Sequence, residues 1–162
     1  MLKKTLVATA LTCCGLASAL AAGTNTTVGN FNVGVTLTPK CEIFNGSGAT
    51  PTINNLSLSY TSFQVAPTTG STNFQIRCTN AQTYGLTLDG ASFTDGSTGL
   101  AYTLNLSPGA THASAANASL TGLSGNGTTG QTYYVHGTVA ANQDGTVTAG
   151  TANNVRSLTI TY

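Results

Sequence analysis

Apolar and polar positions alternate along most of this chain, in short runs broken by Gly, Asn, Pro, Ser and Thr. A period of two puts every second side chain on one face of a strand, so each run reads as a β-strand with one apolar face. In NFNVGVTLTPKC, the residues Phe31, Val33, Val35 and Leu37 share a face, with Gly29 continuing the same parity. Leu56, Leu58 and Tyr60 form a second stripe, and Phe74, Ile76 and Cys78 a third. Tyr84, Leu86 and Leu88 form a fourth, which the Asp89-Gly90 turn pair ends. Leu100, Tyr102, Leu104 and Leu106 alternate until Pro108-Gly109 stops them. Residues 132–139 are β-branched and aromatic, and Leu158, Ile160 and Tyr162 alternate at the end of the sequence. The polar stretches 46–55, 67–71 and 121–130 read as loops, and 142–150 as a loop or weak hairpin. The Ala-rich stretch 110–120 reads as a loop with a short strand, because the Gly, Thr and Ser around it disfavour a helix.

Beyond the first twenty or so residues no helical period is sustained. Many short strands separated by turns predict an all-β antiparallel sandwich or barrel forming one domain. The opening residues differ in kind. Lys3 and Lys4 precede a short apolar core, and Ala19-Leu20-Ala21 fits small-x-small processing. Residues 1–22 therefore read as a cleaved signal peptide, cut after Ala21 or Ala22. A retained anchor would need a longer apolar run, and lipoprotein processing at Cys14 a small residue where Cys13 stands. Removing 22 of 162 residues leaves about 140, enough for one sandwich core.

Charge narrows the possible partners. Only 6% of the chain is charged. After the leader, Lys40, Arg77 and Arg156 oppose Glu42, Asp89, Asp95 and Asp144. Nothing in that balance attracts nucleic acid or an anionic membrane surface. Cys13 and Cys14 belong to the leader, which leaves Cys41 and Cys78 as an even pair in an exported chain and predicts one disulfide.

Candidate chemistry is sparse. His112 lies in a predicted loop, and His136 in a predicted strand, facing opposite to Val135. The carboxylates of Asp89, Asp95 and Asp144 each precede Gly and read as turn formers. Ser124 sits in Gly122-Leu123-Ser124-Gly125, which misses the Gly-x-Ser-x-Gly spacing of a nucleophile elbow. No phosphate loop, dinucleotide fingerprint, calcium loop or zinc-ligand cluster occurs. The expectation is a non-enzyme with no cofactor and no metal. Asn25, Asn45, Asn55, Asn105, Asn117 and Asn126 head glycosylation sequons, which a chain this rich in Asn, Ser and Thr supplies by composition.

The order of several stretches resembles the spore coat protein U family, which includes pilin subunits of archaic Csu-type chaperone–usher systems. An alternating segment leads directly into a cysteine, Phe31 to Cys41. A short strand, FQIRC, ends at the second cysteine, and a Tyr-x-Leu-x-Leu-x-Gly run follows as Tyr84, Leu86, Leu88 and Gly90. YVHGTVAANQ is similar to the family's Tyr-Gly-x-Val/Ile-x-Ala-x-Gln segment, and LTITY to its closing strand. The chain departs from the family where a Phe-Gly pair is usual after the first loop, having Leu58-Ser59-Tyr60 or Ser62-Phe63 there. It departs again in GTANNVR, which replaces the acidic Gly-x-Tyr-x-Asp lead-in to the last strand.

The resemblance implies an incomplete immunoglobulin-like antiparallel β-sandwich completed by a donor strand. Residues 23–39 would be the donor extension, with Gly29, Phe31, Val33, Val35 and Leu37 entering a neighbour's groove. Residues 40–162 would be the pilin domain, and Leu158, Ile160 and Tyr162 would lie on the strand bordering that groove, where a chaperone's strand also pairs. The implied function is a structural fibre subunit for adhesion or biofilm. Its partners would be identical or related subunits, a periplasmic chaperone and an outer-membrane usher, and its route would run through the periplasm to the cell surface. Pattern alone leaves a second reading of residues 31–37, as the first strand of the chain's own complete sandwich. It also leaves a second function, a monomeric secreted binding module, for carbohydrate for example, with Tyr102, Tyr133 and Tyr134 as stacking faces.

Overall fold

The computed structural model describes residues 27–44, 52–112, 115–146 and 154–162. The chain separates into two units, 1–36 and 37–162. The proposed leader and the sequons at Asn25 and Asn45 lie outside the described residues.

Among the described residues of the larger unit, eight strands follow in order: β1 (Cys41–Ile43), β2 (Thr68–Cys78), β3 (Thr83–Leu88), β4 (Ser92–Thr94), β5 (Ala101–Ser107), β6 (Ser119–Ser124), β7 (Gln131–Val139) and β8 (Leu158–Thr161). They build a five-stranded sheet, β1-β2-β7-β5-β4, and a three-stranded sheet, β6-β3-β8. Every strand pair is antiparallel. The fold is all-β and sandwich-like, as the alternation predicts.

The predicted stripes form the core. Phe74, Ile76 and Cys78 from β2, Leu104 and Leu106 from β5, and Tyr133 and Val135 from β7 are buried together with Tyr84, Leu86 and Leu88 from β3. Alternation works here because each strand presents one face to the other sheet and the other face outward. Between Tyr84 and Tyr133 the rings meet edge to face at 6.5 Å, and the two hydroxyls hydrogen-bond at 2.6 Å. Burial and that bond push the Tyr84 hydroxyl's pKa up, which keeps that phenol neutral.

Three expectations change. The stretch 67–71, read as a loop, is mostly the start of β2. Thr68 to Ser71 pair with Val139 to His136 on β7, placing Gly70 opposite Gly137. The stretch 121–130, also read as a loop, begins inside β6. Conversely, residues 56–60 alternate in burial as a strand would, but belong to no strand. Leu56 and Leu58 lie over the Gly70–Gly137 pair instead. A Cβ on Gly70 would come within 3.0 Å of the Leu58 side chain, and one on Gly137 within 2.7 Å of the Leu56 side chain. The paired glycines thus make the space those leucines fill.

Cys41 and Cys78 are disulfide-bonded with a Cα–Cα distance of 4.1 Å, and they are cross-strand partners at the end of the β1–β2 ladder. The ladder extends one step further. The Thr79 amide donates to the Lys40 carbonyl, and the Lys40 amide donates to the Thr79 hydroxyl.

Candidate strand-pairing site

Residues 27–40 are all exposed, and none belongs to a strand. Phe31, Val33, Val35 and Leu37 are 84%, 74%, 88% and 73% exposed. A Cβ added at Gly29 or Gly34 would meet nothing within 4 Å. A run with a strand's sequence therefore stands without a ladder and without a buried face. Clustered exposed apolar residues of this kind mark an interaction segment more often than a bare surface.

The sheets end in four edges, which differ in how they are guarded. Unpaired edge strands template pairing with other chains, and proteins protect them by shortness, charge or irregularity. β1 is three residues long, and Glu42 on it accepts from both Lys40 and Arg77. Those two cations, Lys40 first, hold the Glu42 carboxyl below the usual carboxylate range. β4 is also three residues long. β6 carries a register shift between Tyr84 and Leu86 of its partner, and Gly122 within it has φ +68°. Both features bend an edge away from simple pairing. β8, four residues long, has neither the charge nor the irregularity. Its register with β3 runs without interruption from Leu88↔Leu158 to Gly85↔Thr161, and it contains no charge, proline or glycine.

Leu158 and Ile160 are half-buried and pack on the core, while Thr159 and Thr161 are exposed. Tyr162 follows β8 and is 57% exposed. Of the three residues expected on the groove edge, two lie in the edge strand and the third just past it.

The run 52–60 is another stretch without a ladder among the described residues. Ile53 and Leu56 pack against the same core as Leu158 and Ile160. Side chains from other elements pin the run: Thr72 donates to the Asn54 carbonyl and Thr68 to the Ser59 carbonyl, both at 2.9 Å. At its end the Tyr60 hydroxyl accepts from the Gln143 amide at 2.8 Å. Gly70 shares its parity on β2 with Phe74 and Ile76, so Leu56 and Leu58 cover the same sheet face that β3 covers. Among the described residues, two backbones short of partners, β8 and 52–60, thus border one core. The sequence supplied the alternation of 56–60 but not the missing ladder, because pairing is a property of neighbours.

No protein-family model matches the chain, and no curated protein matches it.

The remaining sequence candidates fall elsewhere. Tyr133 is a core residue, 4% exposed. Tyr102 sits against Phe93 with ring centroids 5.5 Å apart, on the core side of the five-stranded sheet. Tyr134 lies on the outer face, stacked on His136 at 5.8 Å. The three tyrosines therefore form no common platform. His112 and His136, distant in sequence, meet edge to face at 5.2 Å. Among the described residues no three metal-ligating side chains cluster. Asn105 is buried and donates its amide to the Ala115 carbonyl, so that sequon is occupied by structure. Asp95 is a turn former, as its Gly neighbour suggested. Its carboxylate accepts from the Thr98 hydroxyl and amide, at 2.6 Å each, and from Asn154 at 2.6 Å. Those bonds, the Thr98 hydroxyl first, pull its pKa down to about 2.

Proposed function

We propose that this chain is a structural subunit of a surface fibre, polymerised by donor-strand exchange. In this reading residues 23–39 of one copy enter the next copy beside β8, and Phe31, Val33, Val35 and Leu37 face that copy's core. The inserted strand pairs with β8 on one side and with the ladderless run 52–60 on the other. Main-chain bonds supply general affinity and the alternate side chains supply specificity, which is the physics of β-strand addition. One observation carries the reading: a strand-patterned segment that belongs to no strand among the described residues occurs in the same chain as a regular, uncharged sheet edge.

The magnitude suits a durable contact. Burying four such side chains contributes roughly 6–12 kcal/mol before ordering costs. The partners in this reading are identical or related subunits, a periplasmic chaperone that covers β8 beforehand, and an outer-membrane usher. The route is export through the periplasm to the cell surface, and the role is scaffolding for adhesion or biofilm rather than catalysis.

The test deletes residues 23–38 and supplies a peptide of residues 27–39 in trans. The truncated body should remain soluble only with a chaperone or the peptide, bind the peptide, and form no filaments by electron microscopy. Normal filaments from the truncated chain would refute the proposal. So would a purified full-length chain that stays a stable monomer, with no SDS-resistant oligomers and no affinity for the peptide, which is the behaviour of a self-complete binding module.

A further inference from the structure

We propose that Gln143 is a positioning residue: it fixes the far end of the ladderless run 52–60, so that this wall of the acceptor groove stands ready before a donor strand arrives. The groove itself rests on the fibre reading; the hold on the run rests on the hydrogen bonds of one residue.

β7 leaves its ladder with β5 at Val139, opposite Tyr102, so the preceding β5 residue, Ala101, lies beyond the end of that pairing. The Gln143 carboxamide takes the place of the missing strand residue. Its Oε1 accepts from the Ala101 amide at 2.7 Å, and its Nε2 donates to the Ala101 carbonyl at 2.9 Å. A side-chain amide carries the same acceptor and donor groups as a peptide unit, so it closes this rung as backbone would. Nε2 also donates to the Ala140 carbonyl at 3.2 Å, which folds the residue back onto the end of β7.

With its side chain engaged on β5, Gln143 turns its main chain to the run. Its amide donates to the Tyr60 hydroxyl at 2.8 Å, and its carbonyl accepts from the Phe63 amide at 2.8 Å. On either side of it the Asn142 amide donates to the Gln64 carbonyl at 2.9 Å, and the Ser62 hydroxyl donates to the Asp144 carbonyl at 2.6 Å. Gln64 braces the same turn from within, accepting from the Thr61 amide at 3.0 Å and donating to the Thr68 hydroxyl at 2.9 Å. Phe63 and Asn142 both have positive φ, +64° and +60°. Asparagine tolerates that region, whereas phenylalanine keeps it only where the surrounding bonds impose it. The junction of 60–64 with 142–144 is therefore a set clasp.

Thr68 and Thr72 hold the run from β2 through one carbonyl each, and Gln143 adds the tie to β5. A wall already ordered spares an incoming strand the entropy of ordering it, which is how preorganisation raises affinity. Without the carboxamide, the turn after β7 loses its side-chain hold on Ala101, and Tyr60 and Phe63 lose a fixed partner. The run then opens locally while both sheets persist.

The experiment is limited chymotrypsin cleavage of the dilute full chain, with cut sites read by mass spectrometry, beside titration of the same chain with a fluorescein-labelled peptide of residues 27–39. The variants are Gln143→Ala, Gln143→Glu, whose carboxylate cannot donate to the Ala101 and Ala140 carbonyls, and Tyr60→Phe, which keeps a cut site and removes only the hydroxyl. Cleavage after Leu56, Leu58 and residue 60 should rise about tenfold in both Gln143 variants, the order of one lost hydrogen bond. Cleavage after the buried Phe74 and Tyr133 should stay at the wild-type rate, with Phe31 in the exposed arm as internal standard. Peptide affinity should fall by a similar factor, and Tyr60→Phe should move both readouts in the same direction. Equal acceleration at Leu56, Leu58, Phe74 and Tyr133 is general destabilisation and would overturn the proposal. So would an opened run with unchanged peptide affinity, which leaves the fibre reading standing. A wild-type chain with no affinity for the peptide would overturn the fibre reading and this proposal with it, a result no variant is needed to see. If the Gln143 variants do not fold, Tyr60→Phe decides alone: cleavage and affinity that both stay at wild-type values overturn the clasp.

Discussion

Replacing Val35 by aspartate separates a role within the molecule from a role between molecules. In the single chain Val35 is 88% exposed, so Val35→Asp should change its stability by no more than about 0.5 kcal/mol. In a neighbour's groove the same change has two costs. The lost valine burial is worth about 2 kcal/mol. Holding a carboxyl neutral at pH 7, when it would ionise near about 3.9 in water, costs about 4 kcal/mol more. Together these weaken the contact by about four decades in affinity. The assay compares peptides of residues 27–39, wild type and Val35→Asp, for their affinity toward the chain lacking residues 23–38. A melt of the full-length variant runs alongside. The bound carboxyl is one whose pKa is raised, so the variant peptide should regain affinity as the pH falls toward about 4. Equal affinity of the two peptides at pH 7 would refute the reasoning. A full-length variant destabilised by several kcal/mol would refute it from the other side, since the segment would then be packing within its own molecule.

Other expectations are simpler. The Cys41–Cys78 bond closes a loop with a sequence separation of 37, so Cys41→Ser with Cys78→Ser should lower stability by about 4 kcal/mol in denaturant melts. Gly125→Ala should destabilise the fold by roughly 1–3 kcal/mol, because the added Cβ would overlap the Thr79 carbonyl oxygen, which is fixed backbone. Asp95 binds its proton less readily folded than unfolded, so its contribution is complete above its ordinary pKa of 3.8 and lost as the pH falls toward about 2. Acid melts should show that loss, and Asp95→Ala should flatten the curve across the window. Thr159→Val would add apolar surface at an exposed position of β8, so it should speed self-association of the lone chain, read by light scattering.

The core was legible because Phe74, Ile76, Tyr84, Leu86, Leu104 and Val135 each alternate with polar residues, and that rhythm survives any tertiary arrangement. The N-terminal half of β2 was not. Thr68 to Ser71 carry no apolar signal, and they become strand through the match of Gly70 to Gly137, a partnership spanning 67 residues (137 minus 70). Residues 56–60 failed in the opposite sense, since side-chain rhythm reports burial and not hydrogen bonding. Positive φ at Gly122 hid β6 among turn-forming residues. At the candidate site, the alternation of Phe31 to Leu37 was plain in the sequence. Their exposure, and the regular, uncharged edge of β8, required the arrangement of strands. The meeting of His112 with His136 was invisible, because it brings a predicted loop residue against a strand face that alternation marks as wet.

The bond between Cys41 and Cys78 has a mechanical meaning as well. A pull entering the larger unit through Leu37 to Lys40 arrives first at β1, a strand of three residues that hydrogen bonds alone would let peel away. The sulfur bridge passes that tension covalently into β2, which is eleven residues long and lies between β1 and β7 within the wider sheet. Load is thereby shared over a ladder loaded along its length instead of being concentrated on one short end. Reduced and oxidised chains stretched from residue 37 should differ chiefly in the first event of their force traces.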